Sequence, residues 1–223
     1  MKDYFKKIFS YKTTWALLVI SLFSIGLSLC RKLITGQVFY MFLLWNLFLA
    51  FVPWFAASIV YIKNIKNKFL LIVIIIFWLV FFPNAPYILT DLIHLGKGNL
   101  MPVWYDLILL LSFGFTGMIY GFVSLQMIEE KIRIVFKIKH ASIISFFLIY
   151  VSCFGIYLGR FLRWNSWDIV KNIDGVFDDI FQRIIYPGDH RTTWVFTFLF
   201  GTLLNILYIV FKQEELKIKQ TQQ

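Results

Sequence analysis

Six long apolar segments constrain the fold of this chain more than any other feature of its sequence. A helix needs about 20 apolar residues to cross the ~30 Å hydrocarbon layer of a bilayer. The apolar segments lie at residues 13–30, 38–62, 68–82, 103–128, 141–159 and 191–211. The third is short, and the residues after it can complete the crossing. We therefore predict an all-α polytopic membrane protein, with residues 1–223 forming a single integral membrane domain and the lipid bilayer as a partner.

The basic residues indicate how the six spans are oriented. Fourteen lysines and arginines fall on one side of the predicted bilayer and eight on the other, which we call the outer side. Basic residues accumulate on the cytoplasmic side of membrane proteins, so we expect both termini in the cytoplasm. Anionic headgroups account for the net charge of +10. The lysine-rich loops are short and contain no nucleic-acid motif, so no nucleic-acid partner is predicted.

The stretch PNAPYILTDLIHLGKG, residues 83–98, follows the third span and is rich in helix-boundary residues. Pro83 favours an end or kink of the span, Asn84 is a good N-cap, and Gly96 is a suitable stop. These signals predict a short helix at about 85–95, roughly 15 Å long. Such a helix cannot cross a bilayer, so we expect it to be re-entrant or interfacial.

The polar residues of this short helix fall on one stripe. Asn84, Tyr87, Asp91 and His94 are spaced at i, i+3, i+7 and i+10, which places them along one helix face. A carboxylate and an imidazole three residues apart can perform acid–base chemistry or share a ligand. Two interpretations follow from the sequence: the helix roofs a polar pocket, or its polar stripe faces water.

Small residues in the fourth and fifth spans predict that these two helices pack together. The glycines are Gly114, Gly117, Gly121, Gly155 and Gly159. A G-x-x-x-G spacing lets helix backbones approach closely in lipid. This packing would bring Asp106, at the start of the fourth span, near Arg160, at the end of the fifth.

A second polar patch, GRFLRWNSWD at residues 159–168, ends the fifth span. The candidate ligand-binding residues in it are Arg160, Arg163, Trp164, Asn165 and Asp168. Arginine suits bidentate contact with carboxylate or phosphate, and tryptophan can stack beside a cation. Five of the eight outer basic residues are arginines, which indicates specific pairing or recognition of anionic headgroups. The alternative is arginines that extend to the interface, with anchoring tryptophans.

Residues 167–185 follow this patch and place apolar and charged side chains on different faces of a helical period. We expect an amphipathic helix lying flat on the outer surface.

Three blocks of the sequence are similar to a known family. PNAPYILTDLIHL, PVWYDLILLLSFGFTG and GIYLGRFLRWNSWD resemble the bacterial multi-spanning membrane family catalogued as domain of unknown function 1361. The resemblance covers nearly the whole chain beyond the first span. It implies a multi-pass protein of a bacterial plasma membrane, and it assigns no reaction to any residue.

The leading functional hypothesis is an outward-facing polar pocket that binds or processes an anionic amphiphile, such as a lipid headgroup or envelope precursor. Asp91 and His94 would supply acid–base or ligand contacts, Asp106 would orient them, and Asn84, Tyr87 and the second patch would hold the ligand. The alternative is a non-enzymatic assembly or scaffold subunit that contacts another membrane protein. A small-solute permease is disfavoured because no charge is expected near the bilayer midplane. No cofactor or metal motif is recognised, and none is predicted.

Overall fold

The computed structural model is helical in every regular element of the residues that it describes, which are 12–97, 100–164 and 167–221. For residues 12, 169, 170 and 214–221 it describes the backbone alone. Six helical segments are long and apolar enough to cross a membrane: Thr13–Thr35, Phe42–Ile62, Lys68–His94, Val103–Phe136, Ala141–Phe161 and Arg191–Gln213. The prediction of an all-α polytopic membrane protein is confirmed.

The chain divides into two compact units, Met1–Ile138 (unit 1) and Lys139–Gln223 (unit 2). The predicted single domain stays a prediction. The helices of unit 1 are α1 (Lys12–Thr35), α2 (Phe42–Ile62), α3 (Lys68–Phe81), α4 (Asn84–Tyr87), a 3-10 helix (Ile88–His94) and α5 (Val103–Phe136). Those of unit 2 are α6 (Ala141–Phe161), α7 (Asp168–Lys171), α8 (Ile173–Ile185) and α9 (Arg191–Thr221).

Helix α5 is the centre of unit 1, and its glycines lie against α4 and the 3-10 helix. It packs against α1, α2, α4 and the 3-10 helix. A Cβ added at Gly117 would lie 2.5 Å from the carbonyl oxygen of Ala85, and one at Gly114 would lie 2.9 Å from Leu89 Cδ2. The close approach that these glycines allow is made by α4 and the 3-10 helix, and the predicted packing of the fourth span on the fifth stays a prediction.

The segment between α3 and the 3-10 helix stays helical despite its prolines. Phe82 and Pro83 both keep right-handed helical geometry, and helical turns continue through to His94. The predicted Asn84 N-cap is wrong, since the cap position of α4 is Pro83 and makes no side-chain bond. Asn84 Nδ2 instead donates to the carbonyl of Phe81, the last residue of α3 (2.9 Å). Leaving that carbonyl unsatisfied in lipid would be costly.

The short helix is therefore a buried element of unit 1, and its predicted re-entrant or interfacial position stays a prediction. Ala85 and Ile88 are fully buried, and Asp91 lies among them rather than facing water. In 3-10 geometry residues three apart eclipse one another, which aligns Ile88, Asp91 and His94 in one row. Gly96, with φ of +78°, ends the segment as predicted.

Helix α5 extends to Phe136, beyond the predicted end at residue 128. Its last turns carry Glu130 and Arg133, which pair at i and i+3. Glutamate, lysine and arginine are good helix formers. The helix can therefore continue beyond the end of its apolar stretch.

Unit 2 is built on the packing of α6 against α9. Gly201 of α9 lies directly against the ring of Tyr150, whose hydroxyl is 2.9 Å from Thr202 Oγ1. Asn205 Nδ2 donates to the carbonyls of Gly201 and Phe146. An in-span asparagine thus forms an interhelical hydrogen bond, as expected of polar groups in lipid.

The predicted outer helix at 167–185 is divided in two. The break falls at Asn172, which leaves helical geometry and accepts a hydrogen bond from the backbone N–H of Gly175 (3.3 Å). Asparagine favours N-cap positions because its side chain satisfies such an N–H.

We predict that Gly117→Ala lowers the free energy of unfolding of the protein in detergent by about 1–3 kcal/mol. The added methyl would meet a backbone oxygen that cannot rotate away. Gly26→Ala is the matched control, because nothing lies within 4 Å of a Cβ at that position. Equal stabilities of the two variants in thermal or denaturant unfolding would contradict the tight packing of α4 on α5.

Candidate functional site

The ends of α1 and α5 are joined by a buried ion pair. Arg31 Nε lies 2.7 Å from Asp106 Oδ1, and Nη2 lies 3.2 Å from Oδ2, so the contact is bidentate. Each residue is only 1% exposed. The sequence analysis named Arg160 as the partner of Asp106 and gave Arg31 no role beyond topology. Both carboxylate oxygens of Asp106 are bonded by Arg31. The carboxylate of Asp106 therefore neutralises a buried cation.

Tyr40 connects this ion pair to the 3-10 helix. Its ring lies under the Arg31 guanidinium, 4.5 Å from centroid to Cζ, and its hydroxyl donates to the carbonyl of His94 (2.8 Å). Burial and then the Asp106 carboxylate raise the pKa of the Tyr40 phenol to about 12, and Arg31 opposes them. Tyr40 is therefore a permanent hydrogen-bond donor at neutral pH, and it fixes the end of the 3-10 helix against α1.

Asp91 and His94 lie one 3-10 turn apart beside this connection. Asp91 is 1% exposed, and its Oδ2 accepts a hydrogen bond from Asn46 Nδ2 of α2 (2.9 Å). The His94 ring is half-buried against Phe42 with centroids 5.4 Å apart. We call these six residues the buried polar cluster of unit 1: Arg31, Tyr40, Asn46, Asp91, His94 and Asp106. Residues from four helices and from the connection before α2 meet there, and a carboxylate and an imidazole are held at one end of the helices.

Unit 2 contains a second network, built around Asp179. Trp164 Nε1 donates to Asp179 Oδ2 (2.7 Å), and Arg183 Nη1 binds Asp179 Oδ1 (2.6 Å). Arg183 is buried, and its carbonyl accepts a hydrogen bond from Trp194 Nε1 of α9 (3.0 Å). The ring of Trp164 lies across α8 at Gly175, where an added Cβ would be 3.1 Å away. The two indoles therefore fix α8 to the ends of both long helices of unit 2.

The other predicted site residues differ in how exposed they are and in which unit they lie. Asn84 and Tyr87 are half-buried in α4, with Asn84 engaged to the Phe81 carbonyl. Arg160 is half-buried in the last turn of α6, and Arg163 is exposed with a left-handed backbone, φ +65°.

Asp168 begins α7 and is half-buried, whereas Asn165 lies outside the described residues. The unit 1 candidates and the unit 2 candidates thus form two sets, and a shared ligand stays a prediction. Within the described parts of the chain, no three His, Cys, Asp or Glu side chains are close enough to hold a metal ion.

Sequence reasoning missed the roles of Arg31, Tyr40 and Arg183. One signal was present, because arginine outnumbers lysine on the predicted outer side. Two of those five arginines, Arg31 and Arg183, are the buried, ion-paired ones. Tyr40 carried no signal that distinguishes it from an interfacial aromatic.

Comparison with known proteins gives a family. Residues 45–207 match the family model described as "Protein of unknown function (DUF1361)". The chain belongs to this family. The match includes Asn46, Asp91, His94 and Asp106, while Arg31 and Tyr40 precede the matched range. No curated protein and no solved structure matches the chain.

We predict that Asp106→Asn lowers the free energy of unfolding by about 3–5 kcal/mol, because the change leaves a buried guanidinium without its counter-charge. The double variant Arg31→Met/Asp106→Leu should lose less than this single change, since it removes both charges.

Arg133→Gln serves as a control for that experiment. It breaks the exposed Glu130–Arg133 pair, whose atoms are 3.9 Å apart, and should cost at most about 1 kcal/mol. Chemical unfolding in one detergent measures all three variants. A loss for Asp106→Asn no larger than that for Arg133→Gln would show that the buried pair does not stabilise the fold.

Proposed function

We propose that this DUF1361 protein binds an anionic amphiphile at the predicted outer side of the membrane. The anionic headgroup would contact the basic segment of unit 2, residues 160–171, and the acyl chains would lie against the adjoining lipid-facing surface.

The observation that carries the proposal is an excess of positive charge beside a fixed tryptophan. Residues 160–171 contain three basic side chains, Arg160, Arg163 and Lys171, and one acid, Asp168. The nearby acid Asp179 is bonded by Arg183 and by the Trp164 indole, so it already has a counter-charge from its own helix. The net positive charge of the segment would favour an anionic ligand at this position.

The position of the arginines suits a lipid headgroup. Arg160 lies in the last turn of α6, a helix long and apolar enough to span the bilayer, and Arg163 follows three residues later in an exposed turn. A guanidinium at this depth can extend toward phosphate oxygens and bind them in a bidentate manner. Trp164 offers an aromatic surface whose orientation is set by its hydrogen bond to Asp179.

A different observation favours the second candidate, a non-enzymatic assembly or scaffold subunit. Asp106 and Asp179, which could have served a ligand, are both bonded by arginines of their own units. Internal ion pairs of this kind are what a purely structural role requires. The two candidates differ in whether Arg160 and Arg163 change lipid binding without changing stability.

We predict that Arg160→Gln/Arg163→Gln weakens binding of a fluorescent short-chain phosphatidylglycerol by about tenfold, equivalent to about 1.4 kcal/mol for the lost charge-assisted contacts. Fluorescence anisotropy on purified protein in a neutral detergent measures the affinity. Lys137→Gln/Lys139→Gln is the matched control, because it removes two exposed charges on the predicted cytoplasmic side.

Three results would count against the proposal. The first is unchanged affinity in the arginine variant with unchanged thermal stability, which would leave the scaffold role as the better account. The second is an equal loss in the lysine control, which would mean general charge attraction. The third is displacement of the probe by soluble glycerol 3-phosphate, which would make the ligand a soluble anion rather than an amphiphile.

A further inference from the structure

Helix α8 presents an apolar face that nothing in the described part of unit 2 covers. The face consists of five side chains that are each 51–62% exposed: Ile173, Phe177, Phe181, Ile184 and Ile185. They recur with the period of one helix face. A continuous apolar surface of this kind, two of whose members are phenylalanines, indicates a contact surface.

The remaining two sectors of α8 show how the helix is oriented. The sector toward unit 2 carries Val176 and Arg183, both buried, with Asp179 between them in the Trp164 network. The exposed polar sector carries Asp178 and Gln182, which bond each other at 3.1 Å. The apolar face therefore lies between the sector that packs on unit 2 and the exposed polar sector. An in-plane membrane helix has this arrangement when it lies beside the protein that anchors it.

Two hydrogen bonds fix the depth of α8 relative to the spanning helices. Trp194, in the first turn of α9, donates to the carbonyl of Arg183 in the last turn of α8. Trp164, just beyond the end of α6, bonds Asp179 in the middle of α8. Tryptophan is enriched at the level of the headgroups, which is where these indoles place α8.

The length of α8 supports the same position. Its 13 residues span about 20 Å, too short to cross the hydrocarbon layer. The two long helices of unit 2, α6 before it and α9 after it in the chain, are long and apolar enough to be membrane spans. The helix is thus confined to the boundary where those two spans end.

We propose that α8 is an interfacial helix whose apolar face is inserted among the acyl chains of the outer leaflet. Asp178 and Gln182 remain exposed to water, Asp174 lies at the N-terminal edge of the apolar face, and Phe177 and Phe181 enter the upper part of the hydrocarbon. The occupant of the face is lipid rather than a second protein, because the face is continuous with a membrane boundary and its flanking sector is acidic and exposed. This inference does not depend on anionic-ligand binding.

The experiment uses a single environment-sensitive label in vesicles of neutral phosphatidylcholine. The background replaces Cys30 and Cys153 with alanine, and NBD is attached at Phe181→Cys or at Gln182→Cys, its polar neighbour. Leu199→Cys is the positive control, because it is exposed on a spanning stretch of α9. Phosphatidylcholine carrying a nitroxide near the headgroup quenches labels in lipid, and iodide quenches labels in water.

We expect about threefold more nitroxide quenching at position 181 than at 182, and the reverse order with iodide, as burial of the apolar face in the leaflet requires. Strong iodide quenching at both positions would overturn the proposal, since the face would then be in water. Protection at 181 without nitroxide quenching, or protection that disappears as the protein is diluted in lipid, would assign the face to a second protein molecule instead. The vesicles contain no anionic lipid. A negative result in this quenching experiment would therefore count against insertion of α8 and not against binding of an anionic amphiphile.

Discussion

Unit 1 depends on the pairing of Arg31 with Asp106, because both charged groups are buried and each needs a counter-ion. Removing an ion from water costs several kcal/mol, and a bidentate contact with a counter-ion is the usual compensation. The pair joins α1 to the start of α5, and Tyr40 extends the connection to the 3-10 helix. Once these ends are joined, the position of the segment that carries Asp91 and His94 is largely determined.

The second requirement of unit 1 is space for that segment beside α5. Pro83 and Pro86 remove backbone donors, so a helix containing them needs other groups to satisfy its carbonyls. Asn84 supplies one such group by donating to Phe81. Gly117 supplies the space, since a side chain there would collide with the carbonyl of Ala85. The prolines lie where α3 ends and α4 begins, and Gly117 allows α4 to pack closely on α5.

Much of the fold could be predicted from the sequence, because lipid imposes a length and a polarity on every span. The same reasoning located the polar stretches around Asp91 and Arg160. It could not show which helices pack against one another. A glycine motif shows that some backbone approaches closely, but it does not identify that backbone, and only the structure shows that Gly117 lies against Ala85 of α4. Likewise Arg31 looked like any basic residue at a span end, and only tertiary packing shows that it is buried.

The two units solve one physical problem with the same pair of residue types. At Arg31–Asp106 and at Arg183–Asp179, a guanidinium and a carboxylate are held together, and an aromatic side chain completes each arrangement. Tyr40 lies under one guanidinium, whereas Trp164 bonds the carboxylate of the other pair. A lysine could supply the charge but not the planar, multi-donor geometry that reaches several acceptors at once. The preference for arginine on the predicted outer side is therefore explained in part by pairing within the protein, at Arg31 and at Arg183.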